Sequence, residues 1–425
     1  MAAISAIESE KPIISRERLS GLLYLAIGLI ILVVFSRDLL PGELARLGLN
    51  TTRSVELVKL PDIVVPVLPV TWFFGLLSVG IGVWQFIRNR RAYGWMLGLV
   101  SFSFLAAFLV WAARGTSFSL IGVLSASLQL ATPILLGALS GVLCERSAVI
   151  NIAIEGMMLG GAFTSVLVAN ATGSIMLGFF AALLVGALLA GWHAVLSIRF
   201  RMDQIISGTV INIFATGLTN FLNQRIMQVN QSLNVQMTFP VISQVFPGLG
   251  KIPILGPLLF DQSPIVWLGL ILLVVIQIAL FKTRWGLRTR AVGEHPRAAD
   301  TVGINVFRMR YLNVILGGVV AGLGGAYFTL GSVGRFDKLM TNGRGFIALA
   351  AMIFGNWTPI GSFASSLIFG FADALQVKLQ ILIGQVNIPS EFLLMLPYIV
   401  TMVVLAGVVG RVLPPAADGQ PYTKQ

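Results

Sequence analysis

The chain has 425 residues, 56% of them hydrophobic and only 11% charged, with a mean hydropathy of +0.89. A soluble domain devotes about a quarter of its residues to Asp, Glu, Lys and Arg. The composition therefore excludes a cytosolic enzyme, a secreted disulfide scaffold and a disordered tail, and the net charge of +12 has to be explained within a membrane protein.

The first apolar run, Gly21 to Phe35, follows about twenty mostly polar residues and is followed by Ser36-Arg37-Asp38 with no small-x-small cleavage site, so it reads as a retained helix and not a signal peptide. Further runs are Ile63 to Ile87, Tyr93 to Ala112, Leu120 to Leu143, Ala148 to Ala169, Ser174 to Ile198, Ile205 to Leu222, Pro264 to Phe281, Tyr311 to Gly331, Ser362 to Leu382 and Phe392 to Val409. Spanning helices need roughly 20 mainly apolar residues. Phe346 to Phe354 is too short to span alone at about 1.5 Å per residue. It ends at Gly355-Asn356-Trp357-Thr358-Pro359, which makes it a broken span or a re-entrant half-helix. The expected fold is an all-α polytopic membrane protein of about 11–12 hydrophobic segments, one of them broken or re-entrant.

Lys and Arg sit in the gaps between these runs, which is the positive-inside pattern and not a nucleic-acid face. Arg88, Arg90 and Arg91 follow the second run, Arg199 and Arg201 the sixth, and the stretch from Lys282 to Arg310 is rich in arginine. Placing these gaps inside puts the N-terminus in the cytoplasm and the long Asn223 to Ser263 segment, with Lys59 and Lys251, outside. The C-terminus is also inside only if the Phe346 segment is a crossing. Between Asn223 and Ser263 only Arg225, Lys251 and Asp261 are charged, and Pro240, Pro247, Pro253 and Pro257 forbid a long helix, as expected for an external cap.

Texture changes near Arg114. Residues 1–114 read as an N-terminal three-helix extension rich in bulky side chains, with a charged external loop from Arg37 to Asp62. Residues 115–411 read as a core transmembrane domain with a cytoplasmic loop at 282–310, and 412–425 as a C-terminal tail. The core is denser in Gly, Ala, Ser and Asn, and pairs such as Gly137 with Gly141, Gly156 with Gly160 and Gly318 with Gly322 fit close helix packing more simply than a dimer seam.

Catalytic signatures fail. Gly250-Lys251 lacks the upstream glycine and the Ser/Thr of a phosphate loop, Gly322-Leu323-Gly324-Gly325 lies in a membrane run, and no G-x-S-x-G elbow occurs. One cysteine, Cys144, and two histidines, His193 and His295, supply neither a disulfide nor a metal cluster. The expectation is a non-enzyme with no cofactor of its own.

Polar groups inside apolar runs are the stronger signal. Glu155 lies about two turns into the Ala148 to Ala169 run, one turn after Asn151, so the two would share a helix face. An intramembrane carboxylate marks either a pathway or a tie between helices. Asn212, Thr216 and Asn220 recur every four residues and form a stripe that lines water or meets another helix. Asp373 and Glu391 are placed nearer helix ends, where snorkelling or capping suffices, and His193 reads as a satisfied buried or interfacial histidine. In the basic loop, Gly293 to Gly303 reads as one short helix. Pro296 suits its first turn, Gly303 its exit, and Glu294 the positive end of its dipole, so that it forms a rigid knob suited to a partner protein.

Four segments in order, Gly137 to Met158, Gln204 to Asn212, Ala291 to Ile304 and Gly345 to Trp357, resemble the membrane permeases of ABC importers for nucleosides and simple sugars, with branched-chain amino acid and ribose permeases as relatives. The resemblance covers roughly Leu120 to Val409 and leaves the first three helices as an addition. It implies a permease in a bacterial plasma (inner) membrane, working with a cytoplasmic ABC ATPase that uses the ATP, a second homologous permease subunit forming a heterodimer with it, and an extracytoplasmic substrate-binding protein or lipoprotein. In that reading Gly293, Glu294, Pro296, Arg297, Asp300 and Gly303 belong to a coupling helix, and Asn151, Glu155, Asn212 and Thr216 line the substrate path. The substrate expected is a nucleoside, with simple sugars or branched-chain amino acids as alternatives. An ion-coupled secondary transporter would instead use Glu155 and Asp373 as ion sites beside the discontinuous helix.

Overall fold

The computed structural model describes residues 15–37, 39–40, 42–50, 60–89, 94–115, 117–382, 395 and 413–424. Apart from Met395, the Phe392 to Val409 run lies outside the described residues, as do Glu391, Lys59, Arg90 and Arg91. The chain falls into two compact units that divide after Leu120. Among the described residues nine helices are long and apolar enough to cross a membrane.

The first unit holds α1 (Arg16–Val33), β1 (Leu44–Gly48), β2 (Ile63–Pro66), α2 (Val67–Arg88), α3 (Gly94–Ala112) and β3 (Ser117–Ser119). Helix α1 begins at Arg16-Glu17-Arg18 and is not among the nine candidate spans. Gly21 and Gly28 of α1 face Gly82 and Gly75 of α2, and a Cβ at Gly82 would stand 2.6 Å from the Leu25 amide nitrogen, so the missing side chains set the approach of the two helices. The sheet was not foreseen: β1 pairs antiparallel with β2 and parallel with β3, in the order β2-β1-β3. Residues 63–66, expected to open a helix, are a strand instead. A β-branched run ended by Pro66 prefers extended backbone, and the helix starts only at Val67.

The second unit carries α4 (Leu120–Glu145), α5 (Ile154–Thr172), α6 (Ile175–Ala194) and α7 (Gln204–Leu222). After the one-turn helices α8 (Ile242–Val245) and α9 (Pro247–Gly250) come α10 (Pro264–Lys282), α11 (Arg284–Glu294), α12 (Pro296–Thr301), α13 (Val306–Phe328), α14 (Arg344–Phe354) and α15 (Pro359–Leu382). Small residues set the central packing. A Cβ at Gly318 of α13 would lie 2.2 Å from the Ala190 Cβ and 2.4 Å from the Gly186 carbonyl oxygen, and one at Gly137 of α4 would lie 2.6 Å from the Ala348 Cβ of α14. The Gly318/Gly322 and Gly137/Gly141 pairs are thus packing seams within one chain. The Asn223 to Ser263 segment forms only short helical pieces, as its prolines require.

The Phe346 segment is a broken span. Where α13 ends, the Gly334 and Leu330 carbonyls accept from Met237 and Phe239 of the Asn223 to Ser263 segment, at 2.9 and 2.8 Å. That segment meets the start of α4, where the Ser125 hydroxyl donates to the Pro257 carbonyl at 3.0 Å, whereas beyond α14 Trp357 donates its indole N–H to Glu145 at the other end of α4. The chain therefore traverses the unit between Gly334 and Trp357, half as irregular backbone and half as helix. The tail at 413–424 lies on the side of α11 and α12, because the Ala417 amide donates to the Gly293 carbonyl at 3.0 Å.

Candidate functional site

Helix α5 does not begin at Ala148, as its hydropathy suggested. Ala148 takes φ +64°, and the Asn151 Oδ1 accepts the Ala153 amide at 3.1 Å, a local bond that competes with helix. Asn151 consequently lies before the helix and Glu155 in its first turn, so the two do not share a helix face. Asn151 is fully buried, with its Nδ2 turned to the Cys144 Sγ at 3.4 Å.

Glu155 reaches instead to the start of α14. Its Oε1 accepts from the Thr341 hydroxyl at 2.6 Å and the Gly343 amide at 2.9 Å, and its Oε2 accepts from the Gly345 amide at 2.6 Å. The free amides at a helix N-terminus carry partial positive charge and suit an anion. Gly345 has to be glycine, since a Cβ there would sit 2.6 Å from the Glu155 backbone. The tie between helices, one of the two roles open for this carboxylate, is present. Asn212 is similarly engaged: its Oδ1 accepts the Gly156 amide at 2.8 Å and its Nδ2 donates to the Ile152 carbonyl at 2.9 Å. Of the stripe on α7, Thr216 remains half-buried, and the Asn220 Oδ1 is buried with no hydrogen-bond partner among the described residues.

Asp373 is not near a helix end. It lies in the body of α15, 3.6 Å from the Arg344 guanidinium at the head of α14, so an ion pair and not snorkelling accounts for it. His193 is fully buried and satisfied as expected, with Nδ1 3.0 Å from the Ser207 hydroxyl and Nε2 2.9 Å from the Ile150 carbonyl.

At the other end of α14, Arg146 donates through Nε to the Trp357 carbonyl at 2.8 Å and through Nη2 to the Asn356 carbonyl at 3.1 Å. Burial holds its guanidinium below the ordinary value, opposed by Glu294 and reinforced by Arg290. Glu145, Arg146, Thr341, Arg344 and Trp357 were missed as site residues. Glu145-Arg146 and Trp357 stood inside quoted motifs, but nothing local in the sequence joins them.

The basic loop holds two helices and not one. Gly293 and Glu294 close α11, His295 takes φ −139° and ψ 82°, and Pro296 opens α12. A residue before proline is driven out of the helical region, which places the break at His295. Gly303, at φ +84°, ends the turn after Thr301. Glu294 does not cap α12; its Oε2 accepts the Ala416 amide at 3.1 Å. Arg297 is exposed and Asp300 half-buried, and Val302 is 76% exposed, so α12 presents a mixed face to solvent.

Residues 123–407 match the family described as the branched-chain amino acid transport system / permease component. This chain belongs to that family. It is 43% identical over 309 residues to the guanosine ABC transporter permease protein NupQ of Bacillus subtilis (strain 168), covering 71% of this chain and 96% of the relative. It is 42% identical over 303 residues to the nucleoside ABC transporter permease protein NupC of Lactococcus lactis subsp. cremoris (strain MG1363), covering 69% and 94%. A putative glucose ABC transporter permease protein, TsgC13 of Haloferax volcanii, is 38% identical over 259 residues, covering 61% of this chain and 78% of the relative. No solved structure matches the chain. The permease is a multi-pass membrane protein, and its relatives are transporter components.

Proposed function

We propose that this permease carries nucleosides inward across a bacterial plasma membrane, as the membrane subunit of an ATP-driven importer. The observation that carries the reading is the alignment with two permeases named for guanosine and nucleosides across nearly their whole length. The N-terminus is assigned to the cytoplasm. ATP is used by a cytoplasmic ATPase, which docks on the face of α12 around Arg297. A second homologous permease completes the membrane pathway, and an extracytoplasmic binding protein or lipoprotein delivers cargo to the Asn223 to Ser263 segment. The chain itself catalyses no reaction.

Within this reading Thr216 and the half-exposed Glu155 contact the path, while Asn151 and Asn212 shape it by fixing the bend before α5. Among the described residues no Lys or Arg bonds to these four, and the neighbouring Arg344 is paired with Asp373, so a neutral nucleoside suits the lining and a nucleotide does not. The test is competition in liposomes holding the complete complex. Labelled guanosine uptake should be inhibited by unlabelled nucleosides and not by the matching monophosphates. Equal competition by monophosphates, or transport confined to glucose or branched-chain amino acids, would overturn the assignment.

A further inference from the structure

The C-terminal tail is bound to the second unit by a dense set of contacts that the transport reading does not use. Its backbone is held at two points on α11, where the Ala417 amide donates to the Gly293 carbonyl at 3.0 Å and the Ala416 amide to the Glu294 carboxylate at 3.1 Å. Tyr422 is 6% exposed and packs in a cluster with Val292 of α11, Ala299 of α12, and Val306 and Met309 of α13, its ring 5.3 Å from that of Phe307. Asp300 of α12 and Arg297 act electrostatically on its hydroxyl. One aromatic residue thus joins a cluster built from all three elements that carry the basic loop.

Two buried charged groups depend on the same tail. Arg310 is 2% exposed; its Nη1 donates to the Gln420 carbonyl at 3.0 Å, while Nε and Nη2 have no acceptor among the described residues. Removing the tail would strip this guanidinium of that hydrogen bond. A buried guanidinium without partners is costly, so the side chain and the helix that bears it would have to move. Asp418 acts electrostatically on Glu145, the 5% exposed carboxyl that also receives the Trp357 indole. Two neighbouring carboxyl groups away from water do not both ionise readily, so one of them keeps a proton near neutral pH. The groups facing this pair are Cys144 of α4, the Asn151 and Gly419 amides, and Arg310 of α13; Arg146, Arg290 and Glu294 form a neighbouring set, and Arg297 and Asp300 face Tyr422.

We propose that residues 414–424 are a strap that positions the Arg284–Thr301 segment for its ATPase partner, with Asp418 and Tyr422 as its positioning residues. The role rests on the ATP-driven reading given above. The strap joins the end of α4, which contacts α14 through Trp357, to α12, which would meet the ATPase, so a push on α12 is passed to the broken span through packed groups instead of being lost in a loose loop.

The retained proton gives the strap a signature that packing alone lacks. Burial pushes the Asp418 carboxyl up to about 7 from its ordinary 3.8. The docked tail therefore holds a proton that a released tail gives up. Its contribution to docking is complete below the ordinary value and is lost as pH rises through about 7.

The experiment places a nitroxide on Thr423→Cys, an exposed position, in the full-length permease in liposomes; the buried Cys144 stays unlabelled. The label should be immobile at pH 5.5 and increasingly mobile by pH 8.5. Asp418→Asn, which fills the place of the carboxyl without titrating, should hold it immobile at both. Tyr422→Ala should free it at both, and Tyr422→Phe, which keeps the ring, should restore most of the immobilisation. In the assembled complex Tyr422→Ala should raise the ATP consumed per nucleoside carried on the order of tenfold, with Tyr422→Phe much closer to the parent. Equal label mobility in parent and Tyr422→Ala, no pH dependence in the parent, or an unchanged ATP-to-nucleoside ratio would each overturn the strap. Failure of the unaltered complex to couple ATP to uptake would overturn the functional reading instead, and is told apart because the label needs no ATPase.

Discussion

Glu155→Ala deletes a carboxylate that accepts the Thr341 hydroxyl and the Gly343 and Gly345 amides. Thr341 and Gly345 are buried, so they lose their acceptor without gaining water, whereas Gly343 is half-buried and can be rewetted. A buried donor left unmade costs about 1–3 kcal/mol, which gives about 2–6 kcal/mol for the two buried donors. The loss of negative charge at the head of α14 adds about 0.3–1 kcal/mol. An expected destabilisation of about 2–7 kcal/mol follows. Glu155→Gln keeps one acceptor oxygen but turns an NH2 toward donors, and should cost less, about 1–3 kcal/mol. Both are read from detergent-solubilised permease by denaturant titration followed through tryptophan fluorescence. If Glu155→Ala unfolds at the parent midpoint yet abolishes uptake, the carboxylate serves the path and not the half-helix, and the reasoning from its hydrogen bonds fails.

Gly318→Val puts a side chain where a Cβ alone would meet Ala190 at 2.2 Å, so α6 and α13 must separate at a cost of about 1–3 kcal/mol or more, whereas Gly217→Val, in open space on α7, should change the same unfolding midpoint by about 0.5 kcal/mol or less. A midpoint for Gly318→Val equal to that of Gly217→Val would contradict the packing seam. Cysteines replacing Arg199 or Arg288 should be inaccessible to an impermeant thiol reagent added outside intact cells, and Lys251→Cys should react; the reverse pattern inverts the topology. Arg297→Glu, on the exposed face of α12, should abolish ATP-driven uptake in liposomes while leaving expression and thermal stability unchanged, and normal uptake would remove α12 from the mechanism.

Hydropathy located most spanning helices to within a few residues, because it depends on the side chains of the helix itself. It erred where a local bond overrode it. Asn151 capping Ala153 delays α5 until Ile154, and Pro296 breaks the basic loop into α11 and α12. The short sheet of the first unit went unseen because β1 gains its partners from strands later in the chain and carries little signal of its own.

The candidate site was legible as motifs and not as contacts. Glu155 stood out because a carboxylate in an apolar run is costly, yet its partners lie 186 to 190 residues away and nothing near it in sequence names them. Asp373 was assigned to a helix end when Arg344, from another helix, satisfies it. The tail offered only Pro414-Pro415 and a few polar residues, and its importance rests on Arg310 and Glu145, buried groups whose needs no local pattern declares.

The sequence alone determined the membrane class, the approximate spans and the absence of a phosphate loop, since these follow from composition and from the short-range spacing of side chains. Only the tertiary structure decided that the Phe346 segment completes a crossing, that Glu155 holds the head of α14, and that the tail is docked on the basic loop. Each of these is a hydrogen bond or ion pair between groups distant in sequence, and a buried polar group finds its partner through the packing of whole helices, which no window along the chain contains.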